Sequence, residues 1–234
     1  MTTIADNLQG VLARIAAACA ACGRDPGEVT LLAVSKTFGP EAVREAAATG
    51  QRAFGENYIQ EAVEKIALLQ SLPLEWHCIG PIQSNKTRLV AANFTWAHTV
   101  DRLKTAQRLS EQRPADMQPL QVCIQVNLDG GATKSGVAPS AALGLAREVM
   151  QLPRLRLRGL MTIPEPAADF AAQKATHLKA KALFDEMREA GVPMDTLSMG
   201  MTGDLEAAIA AGSTMVRVGT AIFGTRERPA SRTQ

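Results

Sequence analysis

Thr30-Leu31-Leu32-Ala33-Val34-Ser35-Lys36 holds four consecutive apolar residues between polar ends. A strand with no polar alternation must be covered on both faces, as parallel strands are when they lie between a barrel interior and a layer of helices. Working outward from this run (Thr30–Ser35), seven more short strand candidates follow: Arg52–Gly55, Glu75–Ile79, Trp96–Val100, Leu120–Asn127, Leu157–Ile163, Thr196–Met199 and Met215–Val218. Between them lie helix-like segments near Glu41–Ala48, Tyr58–Leu69, Lys86–Ala92, Arg102–Gln112, Ala141–Gln151, Phe170–Ala190 and Leu205–Ala211. Eight strands with seven helical connections predict an α/β fold, a (β/α)8 TIM barrel; an open doubly wound sheet is the competitor. Upstream, Ile4, Leu8, Val11, Leu12, Ile15 and Cys19 recur at spacings of three and four, so residues 1–22 form an extra N-terminal helix ended by Gly23. The whole chain, 1–234, reads as one domain, with 225–234 as a flexible tail.

Composition narrows the function. The chain is 46% hydrophobic and 21% charged, which excludes a disordered polymer. Twenty-five basic against twenty-three acidic side chains leave a net charge of only +2, without the basic patch that nucleic acid or anionic lipid requires. No apolar stretch approaches the roughly 18 residues of a membrane span, and no leader pattern opens the chain, so a cytoplasmic protein is expected. Cys19 and Cys22 lie three apart in an alanine-rich helix, while Cys78, Cys123 and the histidines His77, His98 and His177 are distant in sequence. A zinc site needs more ligands nearby, and two reduced thiols on a helix face is the simpler reading.

In such a barrel the functional face is built where each strand ends. Those positions are polar here: Ser35 and Lys36, Glu56 and Asn57, Gln83-Ser84-Asn85, Asn127 and Asp129, Ser198 to Gly203, and Arg217 to Thr220. Lys36 directly follows the apolar run. In a partly dry barrel mouth its charged form is disfavoured, and the neutral amine attacks aldehydes; alternatively it snorkels from the rim or pairs with Glu56. Gly200 and Gly203 permit close backbone approach, Thr202 is placed to cap a helix beginning near Asp204, and Gly219-Thr220 adds N–H groups and a hydroxyl. The loops after strands seven and eight are the usual phosphate site of these barrels. Arg217, flanked by Val216 and Val218, is expected to point into the mouth beside Lys36 or to pair with Glu56 or Asp204.

Six ordered segments carry a resemblance: Leu31-Leu32-Ala33-Val34-Ser35-Lys36-Thr37, Phe54-Gly55-Glu56-Asn57-Tyr58, Trp76 to Lys86, Arg158-Gly159-Leu160-Met161, Leu197-Ser198-Met199-Gly200-Met201, and Arg217 to Gly224. Over almost its whole length the chain resembles the pyridoxal phosphate homeostasis protein family, also called the YggS or PROSC family, which is similar in fold to the barrel of alanine racemase. The resemblance implies that pyridoxal 5′-phosphate is held as a covalent aldimine on Lys36. It also implies that Arg217 faces the pyridine nitrogen, that Asn57 lies near the ring, and that Ser198, Thr202, Gly219 and Thr220 hold the phosphate. The chain departs from the family at Thr202, where serine is usual, and at Gly203, where a larger residue is common.

The related racemases need a tyrosine on the cofactor face opposite the lysine, and Tyr58 is the chain's one tyrosine. Racemase chemistry is therefore not expected; the resemblance implies a protein that stores, buffers or delivers the cofactor and so affects amino-acid and keto-acid balance indirectly, and a monomer is expected. It has no catalytic residues, and pyridoxal-phosphate-dependent apo-enzymes are the partners; Lys86 and Lys134 are candidate secondary contacts. The alternatives are a small pyridoxal-dependent enzyme such as an amino-acid racemase, and a cofactor-free Schiff-base aldolase.

Overall fold

The computed structural model describes residues 3–130 and 135–225; Lys134 and residues 226–234 of the expected tail lie outside them. Helix α1 (Ile4–Ala21) opens on a capping box in which the Thr3 hydroxyl accepts from the Asp6 N–H and the Asp6 carboxylate accepts from the Thr3 N–H. Eight βα units follow. The strands are β1 (Thr30–Val34), β2 (Ala53–Glu56), β3 (Glu75–Cys78), β4 (Trp96–Val100), β5 (Leu120–Val126), β6 (Leu155–Thr162), β7 (Thr196–Ser198) and β8 (Met215–Val218). The helices between them are α2 (Pro40–Ala48), α3 (Ile59–Leu69), α4 (Thr87–Asn93), α5 (Leu103–Gln112), α6 (Pro139–Val149), α7 (Phe170–Glu189) and α8 (Leu205–Ala210). Proline opens α2 and α6, where its missing N–H is not needed, and Asp169 caps α7 through the Ala172 N–H. A one-turn helix, α9 (Thr220–Phe223), follows β8 and was not foreseen in the sequence.

The strands pair in chain order, all parallel, and β1 closes on β8 with Leu32 opposite Arg217 and Ala33 opposite Val218. All eight expected strands are present, and the (β/α)8 barrel is confirmed. Alternation along each strand then sorts the side chains. Leu31 and Ala33 join the large core beneath the helices, whereas Leu32 and Val34 join Ala53, Ile79 and Met215 in a separate cluster on the other face of the sheet. Trp96, Cys123 and Met161 form a second cluster there. Between these two apolar groups sit His77, His98, Ser198 and Arg217, all buried.

Gly159 on β6 marks the tightest backbone approach: a Cβ built there would lie 1.5 Å from the Thr196 carbonyl oxygen of β7. Gly144, exposed on α6, has open space around it. Gly159→Ala is expected to abolish folding or lower stability by several kcal/mol, whereas Gly144→Ala stabilises by about 0.5–1 kcal/mol; urea unfolding of the two variants checks both signs.

Candidate functional site

Lys36 stands immediately after β1, half-buried, on the wall of a cleft of about 410 Å³. Val34, Asn57, Ile79, Ile163, Met201, Thr202, Gly203, Arg217, Gly219 and Thr220 complete that wall. This size suits a small organic ligand. Lys36 has no carboxylate partner among the described residues. The carboxylate that could have claimed it, Glu56, is fully buried and taken by others: Oε1 accepts from Lys65 Nζ at 2.7 Å and from the Ser35 hydroxyl at 2.6 Å. Lys65 also donates to the Ser35 carbonyl, and Thr37, in the left-handed region at φ 68°, gives its N–H to Glu61. The turn bearing Lys36 is thus clamped from below and from α3, leaving the amine itself uncommitted.

Arg217 reaches the same cleft from β8. Its guanidinium is buried and makes no ion pair with any described carboxylate; Nη1 donates to the Ser198 hydroxyl at 2.8 Å and Nη2 to the Thr162 carbonyl at 2.9 Å. Burial pulls its pKa down to about 10, with the nearby Asp204 charge opposing, so it stays a cation at neutral pH. Asp204 itself is held by His177 Nε2 at 2.9 Å and by the Met201 N–H at 2.6 Å, and His177, once its burial is set against this contact, keeps the carboxyl below its ordinary range. A buried cation facing a cleft with only neutral acceptors leaves its remaining hydrogen-bonding capacity for a ligand.

Six of the seven expected residues, Lys36, Asn57, Thr202, Arg217, Gly219 and Thr220, line this one cleft. Ser198 does not. It is fully buried, and its hydroxyl is committed to Arg217 and, at 3.1 Å, to His98 Nδ1. Thr202 does not cap α8 either: Asp204 occupies the cap position. Lys86 donates to Gln60 and is not part of the wall. Cys19 is buried and Cys22 exposed, both as free thiols, and among the described residues no metal-binding group of side chains occurs.

Two features escaped the sequence. Arg14 of α1 pairs bidentately with Glu206 at 2.9 and 3.0 Å and donates to the Thr202 carbonyl at 3.0 Å, so the N-terminal helix braces the loop after β7. The Asn57 amide oxygen is buried without a partner, while Gly80 packs so closely on the Asn57 backbone that a Cβ there would lie 2.0 Å from its carbonyl oxygen. A separate depression of about 750 Å³ around Arg156, Arg188 and Asp195 opens at the strands' N-terminal end, where barrel residues serve stability.

The family profile for the alanine racemase N-terminal domain matches residues 7–227. A pyridoxal phosphate homeostasis protein of Pseudomonas aeruginosa is 60% identical over 227 residues, 97% of each chain. This chain belongs to the pyridoxal phosphate homeostasis protein family. The Escherichia coli K12 family member is 53% identical over 97% of this chain and 98% of its own. PipY from Synechococcus elongatus PCC7942, solved with PLP bound, superposes with a TM-score of 0.78 at 38% identity, covering 90% of this chain and all of its own.

In this member of the family the Glu56–Lys65 pair is the electrostatic liability beneath the site. Burial raises the Glu56 carboxyl even though Lys65 and Ser35 both oppose it. Removing the cation leaves a buried carboxylate alone, so Lys65→Met is expected to lower stability by about 3–5 kcal/mol, with Glu56→Gln in the same chain restoring much of it. The sign of the pH dependence follows. A carboxyl raised further in the folded variant binds protons more tightly than in the unfolded chain, so the variant's deficit grows as pH rises from mildly acidic to neutral. Urea unfolding at both pH values measures it; a deficit independent of pH would contradict this account.

Proposed function

We propose that this chain is a cytoplasmic, monomeric carrier of pyridoxal 5′-phosphate, holding it covalently at Lys36 and releasing it to apo-enzymes that need it. The observation that carries this reading is the composition of the single cleft. One uncommitted amine, one buried guanidinium that pairs with no described carboxylate and two glycine–hydroxyl loops surround a volume of about 410 Å³. These complement three of the cofactor's polar features: its aldehyde, its pyridine nitrogen and its phosphate. The PLP-bound PipY and the names of the close relatives support the same ligand.

The residues divide the work. Lys36 Nζ supplies the amine that condenses with the aldehyde, water leaving as the C=N bond forms. Arg217 donates toward the ring nitrogen, which must accept and stay unprotonated. The Asn57 amide, whose oxygen has no protein partner, offers a contact at the ring edge. Thr202 and Gly203 on one side and Gly219 and Thr220 on the other receive the phosphate through hydroxyl and N–H groups. Gly203 has open space where a Cβ would point. When bound, the cofactor supplies a reversible carbonyl link and, with its nitrogen facing a cation, only a weak electron sink.

A carrier fits better than a racemase because Lys36 and Arg217 are the only ionisable side chains on the cleft wall among the described residues, and Tyr58 stands outside it, half-exposed. The cytoplasmic assignment draws on four free thiols and on the lack of any described helix long and apolar enough to cross a membrane. Protein incubated with pyridoxal 5′-phosphate is expected to absorb at the visible edge and, after borohydride, to carry one cofactor per chain by intact mass. Lys36→Ala is expected to carry none; an undiminished adduct in that variant would overturn the assignment. Mixed with an apo-enzyme, the loaded protein should restore activity faster than cofactor leaves it spontaneously, and equal rates would argue against delivery.

A further inference from the structure

Behind Arg217 the barrel interior holds an unbroken line of side chains. Glu75, half-exposed at the start of β3, lies 2.8 Å from His77 Nε2; His77 Nδ1 lies 2.9 Å from His98 Nε2; His98 Nδ1 lies 3.1 Å from the Ser198 hydroxyl, which accepts from Arg217. Three of the four links are wholly buried, and the fourth leads to solvent at the end of the barrel opposite the cleft. Trp96 stacks on His77 with ring centres 5.1 Å apart, and the Arg158 guanidinium covers Trp96 at 4.8 Å, so the line is walled by flat groups.

Donor and acceptor roles along the line follow from its carboxylate end. An ionised Glu75 can only accept, and its bond to His77 holds its carboxyl below the ordinary range. Burial keeps both imidazoles neutral, His98 the more strongly because His77 and Arg217 add to the effect. A neutral His77 giving its Nε2–H to Glu75 must accept at Nδ1, so His98 gives Nε2–H and accepts at Nδ1. Ser198 then has to donate there, which leaves its lone pairs to Arg217. Arg217, which can only donate, fits this assignment at the other end. All four bonds therefore point one way, from the guanidinium to the carboxylate.

We propose that Glu75, His77, His98 and Ser198 form a directional hydrogen-bond relay that orients and polarises the Arg217 guanidinium from the far end of the barrel, making them positioning residues for the ligand Arg217 meets. The line gives a buried, otherwise uncompensated cation a distant carboxylate through neutral groups, without placing a negative charge in the cleft. Cooperative polarisation along aligned hydrogen bonds is the physical basis. The cleft end of the claim rests on the reading that Arg217 faces the ring nitrogen; the relay itself does not.

Two measurements separate them. In the cofactor-free, 15N-labelled protein, long-range 1H–15N spectra are expected to show His77 and His98 neutral and protonated on Nε2. Either ring protonated on Nδ1, singly or as a cation, overturns the relay whether or not any cofactor binds. Glu75→Gln, a mild change at a half-exposed position, is expected to shift the His98 and Arg217 side-chain resonances, while Glu111→Gln on exposed α5 leaves them in place. Loaded with pyridoxal 5′-phosphate, Glu75→Gln is expected to move the visible band and weaken binding about fivefold or more. Resonances unmoved by Glu75→Gln refute the relay. Moved resonances with an unchanged band and affinity confine it to Arg217 and refute its reach into the cleft. Ser198→Ala, which cuts the line next to Arg217 while leaving Glu75 in place, is expected to reproduce the band shift, and Ser198→Thr to reverse it.

Discussion

Parallel pairing of β1 with β8, Leu32 opposite Arg217, turns an eight-stranded sheet into a closed tube. The first and last strands of the chain thereby become neighbours, and the residues following them, Lys36 and Gly219-Thr220, face one another across a single mouth. An open sheet would place these strands at opposite edges or in an interior order that separates them. Closure also removes both sheet edges and leaves a sealed interior. That interior is where the chain keeps its unusual electrostatics: a guanidinium without an adjacent carboxylate and two neutral imidazoles.

The buried charges around the site are managed in two ways. Glu56 and Lys65 neutralise each other directly, tie down the turn after β1 and take Glu56 away from Lys36. Arg217 is instead held by a hydroxyl and a carbonyl, with its nearest charged neighbours diverted to His177 or kept at the far end of the barrel. The result is a cleft with amine and guanidinium on its wall and no fixed negative charge, a setting for an anionic ligand with a hydrogen-bond-accepting ring. The N-terminal helix joins this design by holding the Thr202 carbonyl through Arg14.

Much of this was legible in the amino-acid order, for definite reasons. Leu31–Val34 reads as an apolar run covered on both faces, and its alternation with helical stretches, repeated eight times along the chain, gave the barrel. The site residues sit at strand ends, where any polar group is conspicuous, and six of them meet in one cleft. What failed to show were contacts between elements far apart in the chain. Lys65 looks like a surface residue on an amphipathic helix, and only the packing of α3 on β2 turns it inward. Ser198 reads as a strand-end hydroxyl at the mouth, yet it lies buried with its hydroxyl on Arg217 and His98, which come from β8 and β4. His77 and His98 read as scattered histidines because strand alternation, not sequence proximity, brings their rings to 2.9 Å.

The central claim is that Lys36 and Arg217 grip one pyridoxal 5′-phosphate molecule between them. A crystal structure of the protein grown with that compound tests it most directly. The account predicts continuous density from Lys36 Nζ to the cofactor's aldehyde carbon, the ring nitrogen against the Arg217 guanidinium and the phosphate between the loops at 202–203 and 219–220. A cofactor lying elsewhere, or reversed so that Arg217 meets the phosphate, would contradict it.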